Sequence, residues 1–216
     1  MKEKIKKIKK GIVGISLALA LGLSSVKAQP SGSVELIKSL DRDHSYIRPT
    51  LTYDLPKDIS GHSFVEFYDD GSFFGKTTLT KPIDGVPFSA AGQFVYGSDF
   101  DTQLGFGGSA STTLGEKGFV KIHYLPIQTS KEGQIKTDQR KLGYFVSLDL
   151  PRDVSISSFG ELTFSDDGPA WGYGELSLEK KVSDRFSVKY QPALKSKGEG
   201  KIIPKYEHRL GLELKL

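Results

Sequence analysis

Along most of this chain, apolar and polar side chains alternate one for one. The clearest run is the last, residues 202–216 (IIPKYEHRLGLELKL). Ile202, Pro204, Tyr206, His208, Leu210, Leu212, Leu214 and Leu216 form one set; Ile203, Lys205, Glu207, Arg209, Gly211, Glu213 and Lys215 form the other. Side chains of an extended strand point alternately to opposite faces, so this spacing predicts a strand with one apolar and one charged face. At about 3.3 Å per residue it would cover roughly 45 Å, whereas strands of soluble domains usually stop near 5 to 6 residues. Such a strand fits the wall of a membrane barrel or the closing strand of a soluble β-domain.

The same period recurs upstream, and helical periodicity is absent. Ser33–Leu40, Ser45–Leu55, His62–Tyr68, Ser72–Lys81, Phe88–Gly97, Gln103–Leu114, Phe119–Gln128, Leu142–Leu150, Ser155–Ser165, Trp171–Val182, Phe186–Lys195 and the final run read as twelve strands. Turn clusters such as Asp69-Asp70-Gly71 and Pro151–Val154 separate them. Alternate connections are short, and the opposite set includes the long polar stretch Thr129–Asp138. An even count with both termini on one side predicts an all-β, antiparallel up-and-down transmembrane β-barrel. Aromatics near strand ends, Tyr46, Tyr68, Phe88, Tyr96, Phe119, Phe164, Trp171, Phe186 and Tyr206, are candidates for interfacial girdles. The glycines and serines of Gln103–Leu114 would either relieve curvature strain or make room for an inward loop or ligand.

The N-terminus changes the meaning of the charge. Residues 1–10 (MKEKIKKIKK) are basic, 11–23 are apolar, and 24–28 end in Val-Lys-Ala, the plan of a secretory leader cleaved before Gln29. The apolar stretch is too short for the roughly 20 residues a spanning helix needs. The expected organisation is therefore a signal peptide over 1–28 and one β-barrel domain over 29–216. The leader holds seven lysines and one glutamate, so the whole-chain net charge of +4 becomes about −2 once it is removed. That removes the case for nucleic acid as a partner. Cysteine is absent, which excludes a lipid-anchored lipoprotein, disulfides and Cys-based zinc sites.

With apolar faces toward lipid, the lumen would be lined by Arg48, Glu66, Lys76, Lys121, His123, Glu161, Tyr173, Glu175 and Arg209, joined by Gln93, Lys189, Gln191, Lys205 and Glu207. Mixed charge and aromatics suit passage of a neutral polar solute. Alternatively, the charges pair across the lumen and fill it. His44-Ser45 and His62-Ser63 are adjacent in sequence and so face opposite ways, which argues against a hydrolase. Asp69-Asp70, Asp99 with Asp101, and Asp166-Asp167 could collect calcium, although turn chemistry accounts for them, so no metal or cofactor is expected.

The opening strand SVELIKSL and the aromatic, acid-bearing pair HSFVEFYDDGSFFGKTTLTK resemble the nucleoside-specific outer-membrane channel family, Tsx-like, most clearly over Ser33–Gly97. The resemblance implies a small-solute pore in the cell outer membrane, with nucleosides as the family-level cargo. It also implies delivery to the barrel-assembly machinery through the C-terminal strand, where Gly211-Leu212-Glu213-Leu214 keeps the small-then-alternating character of such signals. The rival readings are a soluble barrel that binds a small apolar ligand and a structural or adhesive surface barrel. The faces separate them, because a soluble barrel would turn its apolar sets inward. A charge at an outward midplane position, for which Leu148 is the candidate, would then be costly.

Overall fold

A computed structural model describes residues 30–98, 102–129, 135–136, 139–166, 168–197 and 204–216. The leader, residues 1–28, lies outside the described residues. So do Ile202, Ile203, Asp99, Asp101 and Asp167.

Ten strands are continuous: β1 (Ser31–Ser39), β2 (Ser45–Leu55), β3 (Ile59–Tyr68), β4 (Phe73–Pro82), β5 (Ser89–Gly97), β6 (Gln103–Leu114), β7 (Gly118–Thr129), β8 (Arg140–Leu150), β9 (Val154–Ser165) and β10 (Gly168–Lys181). Two are interrupted: β11 runs as Phe186–Tyr190 and Ala193–Lys197, and β12 as Pro204–Glu207 and Arg209–Lys215. The break in β11 falls at Gln191-Pro192, where proline has no N–H to give the ladder. In β12 it falls at His208, whose N–H turns to the Asp41 carboxylate of the β1–β2 loop. Within the stretch expected to be a polar loop, Ile135–Lys136 pairs with Gln128–Thr129 at the end of β7.

Each strand pairs antiparallel with its neighbours in sequence, and β1 pairs with β12 from Ser33↔Lys215 to Ser39↔Arg209. The sheet thereby closes into a barrel of twelve strands, as the alternation predicted. Closure matters physically because it leaves no strand edge with unpaired backbone groups.

Two hairpins show how the sequence makes its turns. At Lys57 and Asp58 φ is 66° and 58°, and at Arg152 and Asp153 it is 64° and 57°. Each three-residue connection places two successive non-glycine residues in the left-handed region, the hand that suits the twist of hairpin strands. On β6, Gly107 sits at a register shift against β7, and a Cβ there would stand 2.0 Å from the Tyr124 carbonyl oxygen. Gly105 is covered by the side chains of Leu125 and Gln128. The small residues of β6 therefore serve the bulge and the packing of β7, the curvature role, and hold no inserted loop among the described residues.

The burial pattern is the reverse of a soluble protein's. Leu36, Ile122, Leu142, Leu176, Leu212 and many other large apolar side chains are exposed on the outside, while Arg48, Glu66, Lys141, Glu161, Glu175, Glu207, Arg209 and Glu213 are buried inside. A soluble barrel would have buried the first set. Leu148 does face outward, but it pairs with Gly118 and Ile156 two residues from the Arg152 turn. It lies near the end of the wall rather than at its midplane, whereas Ile122 lies in the middle of β7.

The girdle needs correction at three positions. Tyr46 is buried among the interior charges, Tyr68 donates its hydroxyl to Glu66, and Phe119 faces Phe145 at 6.2 Å between ring centroids. Phe186 and Tyr206 are exposed on the outer face, and Tyr96 lies over Gly75 on that face. Phe88 is exposed in the turn before β5. No side-chain environment is described for Trp171.

Candidate functional site

The interior side chains gather into two ionic groups. In the first, Arg48 of β2 reaches Glu66 of β3 (Nη2–Oε1 2.7 Å), Glu35 of β1 (Nη1–Oε2 3.4 Å) and both carboxylate oxygens of Glu175 of β10 (3.2 Å each). Arg209 of β12 donates to the same Glu175 at 3.1 Å and grips Glu207 with Nε and Nη2, at 3.0 and 3.2 Å. Planar guanidinium groups suit this two-oxygen geometry. Tyr46 and Tyr173 accept from Arg209 through their hydroxyl oxygens, at 2.9 and 3.1 Å, and the Tyr173 hydroxyl donates a hydrogen bond to Glu175 at 2.6 Å. Lys189 of β11 joins Glu35, Glu179 and Glu213. At the loop end, His44 Nε2 stands 3.1 Å from Glu207 and stacks on Tyr46.

The second group centres on Glu161 of β9. Its Oε1 takes Lys76 of β4 at 3.0 Å and Gln93 Nε2 of β5 at 2.7 Å. His123 Nε2 of β7 stands 3.3 Å from that oxygen but off the hydrogen-bond axis, so the contact is one of proximity. Lys141 of β8 lies 4.0 Å from Oε2 and donates to Gln93 Oε1 at 2.6 Å. Lys121 Nζ reaches only Thr80 Oγ1, at 3.4 Å, among these described partners.

β2 and β10 are four places apart around the ring, as are β5 and β9, so Arg48–Glu175 and Gln93–Glu161 cross the barrel rather than run along its wall. The two groups meet at Phe64, whose ring lies 5.7 Å from Arg48 Cζ and 5.5 Å from Lys76 Nζ, and at the Phe159–Tyr173 pair. The interior is mixed in sign, and its charges pair across the barrel.

Seven of the nine residues named from the sequence stand beside an opposite charge in these two groups, Tyr173 enters through its hydroxyl, and Lys121 meets only the Thr80 hydroxyl among the described residues; Gln93, Lys189 and Glu207 belong as well. Gln191 is buried inside, while Lys205 is exposed near the strand end and takes no part. Residues missed in the sequence were Glu35, Tyr46, Tyr68, Lys141, Glu179 and Glu213. Two of these were readable: Tyr46 stands two before Arg48 and Tyr68 two after Glu66, so each shares an inward face.

No serine hydroxyl is bonded to a histidine among the described residues. His62 Nδ1 meets Thr52 Oγ1 at 3.2 Å, and His208 Nδ1 meets the Tyr190 hydroxyl at 2.6 Å on the outer face. The turn aspartates take backbone donors, Asp69 from Ser45 N–H at 3.0 Å and Asp70 from Ser72 N–H at 2.7 Å. Asp166 pairs with Arg140 at 2.6 Å.

A closed antiparallel barrel with a greasy exterior and an ionic interior is a membrane-spanning β-barrel, since hydrocarbon tolerates a sheet only when every backbone group is paired. Among solved structures the chain is similar in fold to the NanC porin, with a TM-score of 0.59, 10% identity, and coverage of 86% of this chain and 100% of that one. It is similar also to the KdgM porin, with a TM-score of 0.55, 12% identity, and coverage of 85% and 98%. A second KdgM structure, in complex with disordered oligogalacturonate, matches with a TM-score of 0.54 at 12% identity over 85% of this chain and 98% of that one. No protein-family model and no curated protein matches the chain. The small porin-like barrel plan is thus supported by these neighbours, and the nucleoside-specific assignment is not.

Proposed function

We propose that the chain is exported by its leader, is assembled through β12 by the barrel-assembly machinery, and acts in the outer membrane as a passive, non-enzymatic channel for small polar solutes. The observation that carries this reading is the inverted burial: charged side chains converge on the axis and large apolar ones face outward to lipid. A twelve-stranded barrel is wider than the eight-stranded kind that side chains alone can fill. Arg48, Glu66, Lys76, Lys121, His123, Glu161, Tyr173, Glu175 and Arg209 would be the groups a solute meets, and their cross-lumen pairs would form the narrow, selective part of the path. A nucleoside, suggested by the family resemblance, and an oligogalacturonate, bound by one fold neighbour, are the first cargoes to try.

A second reading is favoured by one observation: ion pairs that cross the lumen could lock it shut and make the barrel purely structural. Planar-bilayer conductance of the refolded mature chain separates the two, with heat-modifiable gel mobility as the check of folding. Discrete current steps that a solute reduces support the channel. A folded, heat-modifiable barrel that carries no current leaves the structural reading, and a chain that folds without detergent or lipid overturns both.

A further inference from the structure

The charges inside the barrel are not only mixed; they are sorted by wall. The group on β4, β5, β7, β8 and β9 sets three lysines, Lys76, Lys121 and Lys141, against one carboxylate, Glu161. Across from it, six carboxylates, Glu35, Glu66, Glu175, Glu179, Glu207 and Glu213, stand against the five cations Arg48, Lys189, Lys195, Arg209 and Lys215, an excess of one negative charge. Lysine-rich and carboxylate-rich walls thus face one another, and the phenyl rings of Phe64 and Phe159 stand between them, each within 5.7 Å of Lys76 Nζ.

A charged solute passing this level competes with the ion pairs that cross it. An anion that draws Arg48 away takes the cation from Glu66 and leaves Glu175 with Arg209 alone; a cation that draws Glu161 away takes the carboxylate from Lys76. Stranding one member of a buried pair costs more than the pair itself was worth. A neutral solute offers either member hydrogen bonds but no opposite charge. A solute with both charges replaces both lost partners at once.

Resting on the channel reading, we propose that the lumen selects small zwitterions with an apolar or aromatic body, the chemical class of amino acids and short peptides. The carboxylate turns to Lys76 and Lys121, the ammonium turns to Glu66 and Glu175, and the body lies against Phe64 and Phe159. Lys121 is the natural recipient because no carboxylate lies within 4.0 Å of it among the described residues.

The test compares three ligands that share one phenylalkyl body as blockers of current through the refolded mature chain: L-phenylalanine, 3-phenylpropionate without the ammonium, and 2-phenylethylamine without the carboxylate. Phenylalanine is expected to reduce the current at concentrations at least about tenfold lower than either analogue, because each analogue strands one wall charge. Lys121→Gln, which removes no ion pair from the wall, is expected to weaken phenylalanine and 3-phenylpropionate several-fold and leave 2-phenylethylamine unchanged. Equal potency of phenylalanine and 3-phenylpropionate overturns the proposal in favour of a simple anion site, and equal potency of all three overturns it altogether. A correctly folded barrel without current removes the channel reading itself, a result distinct from conductance without this ranking.

Discussion

Glu175→Gln is the sharpest test of the interior lattice. The Glu175 side chain is 3% exposed and receives Arg48 through Nη1 and Nη2, Arg209 through Nη1, and the Tyr173 hydroxyl. Glutamine keeps the shape and one oxygen acceptor but removes the charge between two guanidinium groups. Breaking a buried ion pair from one side costs about 3–5 kcal/mol. Arg48 retains Glu66 and Glu35, and Arg209 retains Glu207, which places the expected loss near the lower end, about 3 kcal/mol. Urea unfolding of the barrel from lipid vesicles, followed by the fluorescence of its single tryptophan, reads this directly. Adding Arg48→Gln should cost less than the two single losses summed, because the Arg48–Glu175 pair can be lost only once. A loss below about 1 kcal/mol, the value of a solvated surface pair, would refute the reasoning. A double variant that is simply the sum of its parts would refute it as well.

Further outcomes follow from the wall. Ile122→Arg, mid-strand on the lipid face, should destabilise the folded barrel by about 2–4 kcal/mol, and Leu148→Arg near the turn by about 0–1 kcal/mol; equal losses in vesicle unfolding would contradict the depth assignment. Gly107→Ala should cost about 1–3 kcal/mol because its methyl would overlap the Tyr124 carbonyl, while Gly108→Ala, with its nearest neighbour at 3.6 Å, should be close to neutral by the same assay. Asp153→Gly should stabilise the barrel by up to about 1 kcal/mol, since glycine accepts the φ of 57° without strain but brings more freedom to the unfolded chain; a loss of stability would speak against strain at this position.

Period-two reading carried the wall well because a strand's faces follow from parity alone. In β12 the outward set Tyr206, Leu210, Leu212 and Leu214 and the inward set Glu207, Arg209 and Glu213 are as the alternation requires. Parity applied consistently would also have moved Tyr46 and Tyr68 inside, and proximity to a strand end misled because it ignores face. The interruption of β11 was available in Pro192. What could not be read was which inward charges meet: Arg48 and Glu175 are 127 residues apart, and their encounter depends on strand tilt and stagger around the closed ring, which no local pattern encodes. The sorting of lysines and carboxylates onto opposite walls belongs to that same three-dimensional level.

The β1–β12 seam has a bearing on how the molecule comes into being. Seven register pairs join Ser33–Ser39 to Arg209–Lys215, and the hydrogen bond between Leu216 N–H and the Gly32 carbonyl fastens its end. A ribosome releases the first partner some 180 residues before the second, so no growing intermediate can shut the ring, and every unfinished sheet presents two raw edges. Interior bonds such as Arg209 to Tyr46 wait for the same moment. Long-range pairing of this kind is slow, since distant ends must be brought together before any contact rewards them. Birth of the barrel is therefore a single late event, and loss of the last few residues should abolish the whole wall rather than shorten it.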